Sequence, residues 1–315
     1  MISVIQLGTI DYTTGLRLQE QLVALRKENK IDDVLLLLEH KPVITLGRNA
    51  KAANVIASPE LLTQRGVELY ECDRGGDVTF HGPGQLVGYP IFDLRGYANS
   101  NFLSSRAEEN DPLADCSLQS RDLALPPRKH LGAVDFVRRL EEVLIRTCAD
   151  FTIETKRIPG LTGVWTEAES NDAHVATAAS AVRPSEARPN IHAPNVLAPN
   201  VPAPDSKLAA IGIHISRSVT SHGFALNVNT DLTYFNLIIP CGITAKPVTS
   251  MQKELGKKLD MTVVAESISR NFSVVFSSRV LWVETLDALL GRAVGVPMKP
   301  PAELRQLHEE DTFWS

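Results

Sequence analysis

The strongest constraint on the fold is a succession of strand-like runs with little helix between them. Asp33 to Glu39 contains the unbroken apolar stretch Val34 to Leu38, the pattern of a strand buried on both faces. Val43 to Leu46 follows after only the Lys41–Pro42 turn, and Val67 to Cys72 and Leu86 to Leu94, which carries Pro90, read as further strands. Later, Leu208 to Ser216 and Phe224 to Val228 again come with no helix between them. A strict alternation of strand and helix would give a parallel doubly wound sheet; this order predicts an α+β fold, a mixed β-sheet with packing helices.

The helices announce themselves by periodicity. Thr13 to Lys30 places Leu16, Leu18, Leu22, Val23 and Leu25 between charged residues, as an amphipathic helix does. Val134 to Asp150 and Val263 to Phe276 repeat the pattern, and Ser58–Pro59 reads as a cap followed by proline at the first helical position. Met1 to Gly8 and Phe151 to Glu154 read as strands, and the apolar Leu237 to Pro240 as a strand leading into Cys241. Glu284 to Arg292 and Pro300 to Glu309 read as short helices.

Two stretches interrupt this order. Residues 96–132 are polar and lack steady periodicity, and residues 167–205 repeat an Ala-Pro-Asx unit in an Ala-, Pro-, Asn- and Ser-rich context. Such composition offsets too little of its ordering entropy by apolar burial, so the second stretch is expected to be largely disordered. The expected organisation is one domain over residues 1–282 with insertions at 96–132 and 167–205, then a C-terminal helical extension over 283–315.

Charge and cysteine usage narrow the function class. The formal net charge is −5 with no Lys/Arg block, against a nucleic-acid binder. No apolar run approaches the roughly 20 residues that span a bilayer, and the N-terminus does not read as a signal peptide, so a cytoplasmic protein with no membrane partner is expected. The four cysteines (Cys72, Cys116, Cys148, Cys241) form no C-x-x-C pair, which points away from zinc or a redox couple and towards a single reactive thiol. Cys241, between Pro240 and Gly242, is the best placed for exposure; Cys72 falls in an expected core strand, Cys148 on a helix and Cys116 in an insertion.

A thiol is mostly protonated at neutral pH, so a nucleophilic cysteine wants a cation or base nearby. Lys207, His81, His214 and His222 are the candidates, and spacing does not choose among them; His214, inside an expected strand, reads as structural. The block Arg74 to Gln85 holds four glycines, a proline, a histidine and an arginine in twelve residues. Its bare backbone suits a ligand loop, and because a strand rather than a helix follows, it does not fit a dinucleotide fingerprint.

Taken together, these blocks resemble the lipoyl(octanoyl) transferase family. The resemblance rests on Glu39–Val43 with Gly47–Arg48, Arg74–Gln85 continuing to Gly88–Tyr89–Pro90, Gly163–Val164–Trp165, Lys207–Gly212, His222–Asn227, and Pro240–Cys241–Gly242 with Val248–Thr249–Ser250. It implies a fold similar to the biotin and lipoate protein ligases, Cys241 as the acyl-thioester nucleophile, and Lys207 assisting it by charge or by proton transfer. It also implies acyl-chain contacts from Arg74, Gly75, Gly76, Asp77, Val78, Thr79, Phe80 and His81, from Ala210, Ile211 and Gly212, and from Gly223, Phe224 and Ala225. The implied reaction needs no cofactor and no metal. It moves octanoyl or lipoyl from octanoyl-acyl carrier protein to a lysine of the lipoyl domains of 2-oxoacid dehydrogenase complexes or of the glycine cleavage H protein. Two rivals remain: an ATP-dependent lipoate or biotin ligase, which does not need a nucleophilic cysteine, and a non-catalytic protein that binds an acyl group or lipoyl domain.

Overall fold

The computed structural model describes residues 1–97, 130–167, 205–240 and 246–293. Most of both expected insertions, the expected helix Pro300–Glu309, Cys116 and Cys241 lie outside the described residues.

The chain opens with β1 (Ile2–Ile10) and α1 (Tyr12–Lys27), whose cap Asp11 accepts a hydrogen bond from the Thr14 N–H at 2.8 Å. β2 (Asp33–His40) and β3 (Val43–Leu46) follow. Then come α2 (Pro59–Gln64), capped by Ser58, β4 (Glu68–Glu71), β5 (Val78–His81) and β6 (Gln85–Ile91). After residue 130 stand α3 (Ala133–Asp150), β7 (Thr155–Ile158) and β8 (Leu161–Thr166), and after residue 204 β9 (Lys207–Ser216) and β10 (Val219–Asn227). The described chain closes with α4 (Met251–Leu255), α5 (Met261–Val275), β11 (Val280–Trp282) and α6 (Leu286–Ala293).

Eight strands form one sheet in the order β11-β1-β2-β6-β10-β9-β8-β7. β1 is parallel to both its neighbours and every other pair is antiparallel, so the sheet is mixed, as expected. The alternation in β2 shows why both faces must be covered. Leu35 and Leu37 enter one buried cluster with residues of α3 and α5, while Val34, Leu36 and Leu38 enter another with residues of α1 and α6. A second sheet, β4-β3-β5, builds a smaller core around Ile44, Val78 and Phe80. The Lys41–Pro42 turn carries the chain from the large sheet to the small one, and the Gly82–Gly84 turn carries it back.

Three local expectations are corrected. Phe151 to Glu154 is the cap and turn that follow α3 rather than a strand: the Phe151 N–H bonds back to the Cys148 carbonyl and Thr152 takes φ 62°, which turns the chain before β7 begins. Leu237 to Pro240 is not a strand. Leu232–Leu237 winds as a 3₁₀ turn, and Ile238 makes a single bridge to Val55, because these apolar residues close the small core instead of extending a sheet. Cys72 does not sit in a core strand, since β4 is an edge strand with Glu68, Leu69 and Glu71 exposed. The Cys72 thiol lies half-buried just past the end of β4 and donates to the Leu46 carbonyl at 3.4 Å. The segment Val283–Leu290, placed by sequence in an extension, buries Val283, Leu286, Leu289 and Leu290 in the α1 cluster. No helix among the described residues is long and apolar enough to cross a membrane.

Candidate active site

Three pieces of chain meet over the middle of the large sheet. β9 and β10 run as a hairpin whose register sets Ile211 opposite Phe224 and Gly212 opposite Gly223. The Arg74–Asp77 loop then lies on β9: the Gly75 N–H donates to the Ile213 carbonyl at 2.9 Å. Glycine at 212 permits this approach, since a Cβ there would stand 2.6 Å from the Gly75 carbonyl oxygen. The Arg74 guanidinium is clamped by Thr45, whose carbonyl accepts from Nη2 at 2.7 Å and whose hydroxyl accepts at 2.9 Å.

Between these pieces is a cleft of about 490 Å³. Arg74, Gly75, Gly76, Asp77, Thr79, His81, Ala210, Ile211, Gly212, Gly223, Phe224 and Ala225 all line it. Val78 and Phe80 do not: strand alternation in β5 points them into the small core, where the Phe80 ring stacks on Tyr234 at 4.7 Å. Sequence reading missed Tyr12, Val87 and Tyr89 as cleft residues, and with His222 they complete the wall. Pro90 and the Gly84 turn mark the neighbourhood of Tyr89, but nothing in the sequence around Tyr12 signals a cleft residue.

The polar floor is tightly hydrogen-bonded. His40 donates from Nδ1 to the Ile10 carbonyl at 3.1 Å and accepts at Nε2 from the Tyr89 hydroxyl at 2.6 Å. The Gln85 amide nitrogen donates to Asn227 Oδ1 and the Phe80 carbonyl, so its oxygen accepts from His81 Nδ1 at 2.8 Å. This leaves His81 Nε2 as the unprotonated nitrogen. Burial pushes His40 down to about 4 and His81 down to about 3, so both are neutral near pH 7. His222 holds φ 54° within β10, its N–H bound to Gln19 Oε1 at 2.7 Å and its Nε2 to Asp73 Oδ1 at 2.6 Å. Burial holds its imidazole below the ordinary value against the pull of Asp73. His214 Nε2 lies 3.5 Å from the other Asp73 oxygen, on the exposed side of the same carboxylate.

Lys207 lies at the other end. A narrower pocket of about 280 Å³ shares Thr79, Ala210 and Ala225 with the cleft and is lined further by Gln85, Lys207, Asn227, Phe235, Pro240 and Val248. The first residue of β9 thus comes to the same pocket as the residue preceding Cys241. Backbone bonds fix that placement: the Lys207 N–H donates to the Pro247 carbonyl at 2.8 Å, and its carbonyl accepts from Thr249 N–H at 3.0 Å. His81, on the cleft wall, and His222 and His214, beside Asp73, do not line this pocket. The Cys148 thiol is fully buried and burial pushes it up to about 12, as an inert core cysteine should be.

The sequence matches the model of the lipoyl protein ligase A/B catalytic domain over residues 11–116 and 123–273. It is 51% identical over 311 residues to an octanoyltransferase of Koribacter versatilis, covering 99% of this chain and 98% of that one. The chain belongs to the octanoyltransferase family. An octanoyltransferase of Acidobacterium capsulatum is 45% identical, over 92% of this chain and 96% of its own. Among solved structures, a lipoate-protein ligase A bound with ATP superposes with TM-score 0.54 at 12% identity, covering 100% of this chain and 97% of that one. The bipartite lipoate protein ligase of Thermoplasma acidophilum gives 0.55 at 11% identity, over 99% and 93%. At that identity the likeness is one of fold, the lipoate-ligase α+β architecture. In this octanoyltransferase-family member, the cleft and the adjoining pocket of Lys207 and Pro240 together are the candidate active site.

Proposed function

We propose that the protein transfers an octanoyl group from acyl carrier protein to a lysine of lipoyl domains through a thioester on Cys241. The observation that carries this reading is the pocket shared by Lys207 and Pro240, which continues into the cleft lined by Ala210–Gly212 and Gly223–Ala225. The Cys241 thiolate attacks the donor thioester carbonyl, and the carrier's thiol leaves. The acceptor lysine amine then attacks the acyl-enzyme, an amide forms and the Cys241 thiol is restored. Thioester to amide is downhill, so no ATP enters. Lys207 stabilises the thiolate by charge or takes the thiol proton, and Val87, Ile211 and Phe224 offer the acyl chain an apolar wall. The acceptors are the lipoyl domains of 2-oxoacid dehydrogenase complexes and the glycine cleavage H protein, in the cytoplasm.

Intact-mass spectra after incubation with octanoyl-acyl carrier protein, without ATP, test the reading. One octanoyl adduct is expected on the wild type and on Cys72→Ala and Cys148→Ala, and none on Cys241→Ala. A stable adduct on Cys241→Ala would move the nucleophile elsewhere; activity only with free acid and ATP would make the protein a ligase.

A further inference from the structure

Gly163 and Trp165 take no part in the chemistry above, yet both lie against Lys207, which is the β9 partner of Trp165 in the sheet register. Gly163 has φ 127°, and a Cβ there would stand 2.9 Å from Lys207 Cε and 2.5 Å from the Ala209 carbonyl oxygen. The bare glycine lets the lysine stem pass. Beyond it the Lys207 ammonium sits 5.2 Å from the centre of the buried Trp165 ring. The same ring has a second cation, the Lys246 ammonium, at 5.8 Å. Asp205 holds Lys246 at 3.0 Å through one oxygen and Lys156 at 3.0 Å through the other, and Lys156 is the strand partner of Trp165.

Lys246 follows Cys241 by five residues, and Pro240 precedes it by one. The ring beside the Lys207 ammonium therefore also faces the ammonium of a residue five positions after Cys241 in sequence. An ammonium over an indole face is attracted by the ring quadrupole, most strongly when water is excluded; Trp165 and Lys207 are buried, while the Lys246 side chain is 26% exposed.

We propose that Trp165 is a positioning residue for the transfer, holding on one ring the Lys207 ammonium and that of Lys246, which follows Cys241 by five residues in sequence. The proposal rests on the reading of Cys241 and Lys207 given above. If it holds, Trp165→Leu lowers kcat about tenfold with KM for the acyl donor changed less than about twofold, and Trp165→Phe, which keeps a π-face, recovers to within about threefold of wild type. Equal losses in the Phe and Leu variants would reduce Trp165 to space filling and overturn the proposal.

The second readout is the rate of Cys241 alkylation by iodoacetamide, mapped on its peptide. Trp165→Leu should slow it in the wild-type background and add nothing in Lys207→Ala, because both act through one ammonium. Factors that multiply in the double variant would overturn the proposal. Lys246→Met leaves the core untouched and should slow alkylation about threefold; an unchanged rate would overturn the positioning role even if Trp165→Leu fails to fold. Failure of the transfer reading shows separately, as a wild-type protein that forms no acyl adduct, while alkylation still scores the coupling.

Discussion

His81 and His40 are neutral because their surroundings exclude water, and that has a consequence for stability. The unfolded chain protonates a histidine near pH 6.5, whereas the folded protein resists until about 4 for His40 and about 3 for His81. Between those values the unfolded state binds more protons, so stability rises with pH. The contribution is present above pH 6.5 and lost as pH falls towards 4 and then 3. Urea midpoints are expected to drop steeply between pH 6.5 and 4, with His40 accounting for about 3 kcal/mol, and His40→Gln should flatten the profile. A profile equally steep in that variant would assign the acid sensitivity to other groups. Gln85 belongs to the same floor: Gln85→Leu strands His81 Nδ1–H and Asn227 Oδ1, with an expected loss of about 1–3 kcal/mol by denaturant titration.

At the scale of elements, α3 anchors the strand on which Lys207 depends. Glu141, fully buried, accepts from Gly163 N–H at 3.1 Å through Oε1, and from Arg138 at 2.7 Å and Arg157 at 3.1 Å through Oε2. Arg138 and Arg157 are partly exposed and can turn to water, so the cost of removing Glu141 is mainly the stranded Gly163 N–H and the lost charged hydrogen bonds, about 1–3 kcal/mol. Glu141→Ala should lose about 1–3 kcal/mol by denaturant titration and slow transfer by loosening β8, although it lies outside the cleft. Gly212→Ala tests the other contact of β9. A methyl 2.6 Å from the Gly75 carbonyl must push the Arg74 loop away, so KM for the acyl donor should rise by about tenfold or more. Steady-state kinetics with wild-type KM would show that the loop is free to retreat. The β9–β10 hairpin itself turns through Arg217 and Ser218 at φ 49° and 67°, a turn that glycine or asparagine usually signals; lacking that signal, β10 was legible only from Phe224 although it starts at Val219.

The whole molecule is held by a central sheet covered on both faces, and α6 is part of the cover. Val283, Leu286, Leu289 and Leu290 are each no more than 4% exposed in the cluster that also holds Leu18, Leu22, Val34 and Leu36. Full burial of one such side chain contributes about 1.5–3 kcal/mol. A chain ending at Trp282 should therefore lose at least about 4 kcal/mol, seen as a large fall in the urea midpoint or as insoluble protein. A truncated chain with the full midpoint would show that α1 finds another cover.

By itself the sequence determined the local elements and the chemical inventory. The periodicity of α1, α3 and α5, the unbroken apolar run of β2 and the glycines of Arg74–Gln85 are short-range patterns, set by backbone sterics and by which face must avoid water. The glycine-rich block was legible as ligand-loop material for the same reason, whereas Lys207 stayed one of four candidates that only the family resemblance singled out. Tertiary structure alone decided which residues meet. β2 and β3 are adjacent in sequence yet lie in different sheets; Tyr12 and Tyr89, 77 residues apart, close one cleft; Val78 and Phe80 turn away from it while Thr79 and His81 face in. That Lys207 rather than His81, His214 or His222 lines the pocket with Pro240 was also decided there. Each depends on strand register and sheet order, which arise from burying two faces at once, and no run of neighbouring residues encodes that.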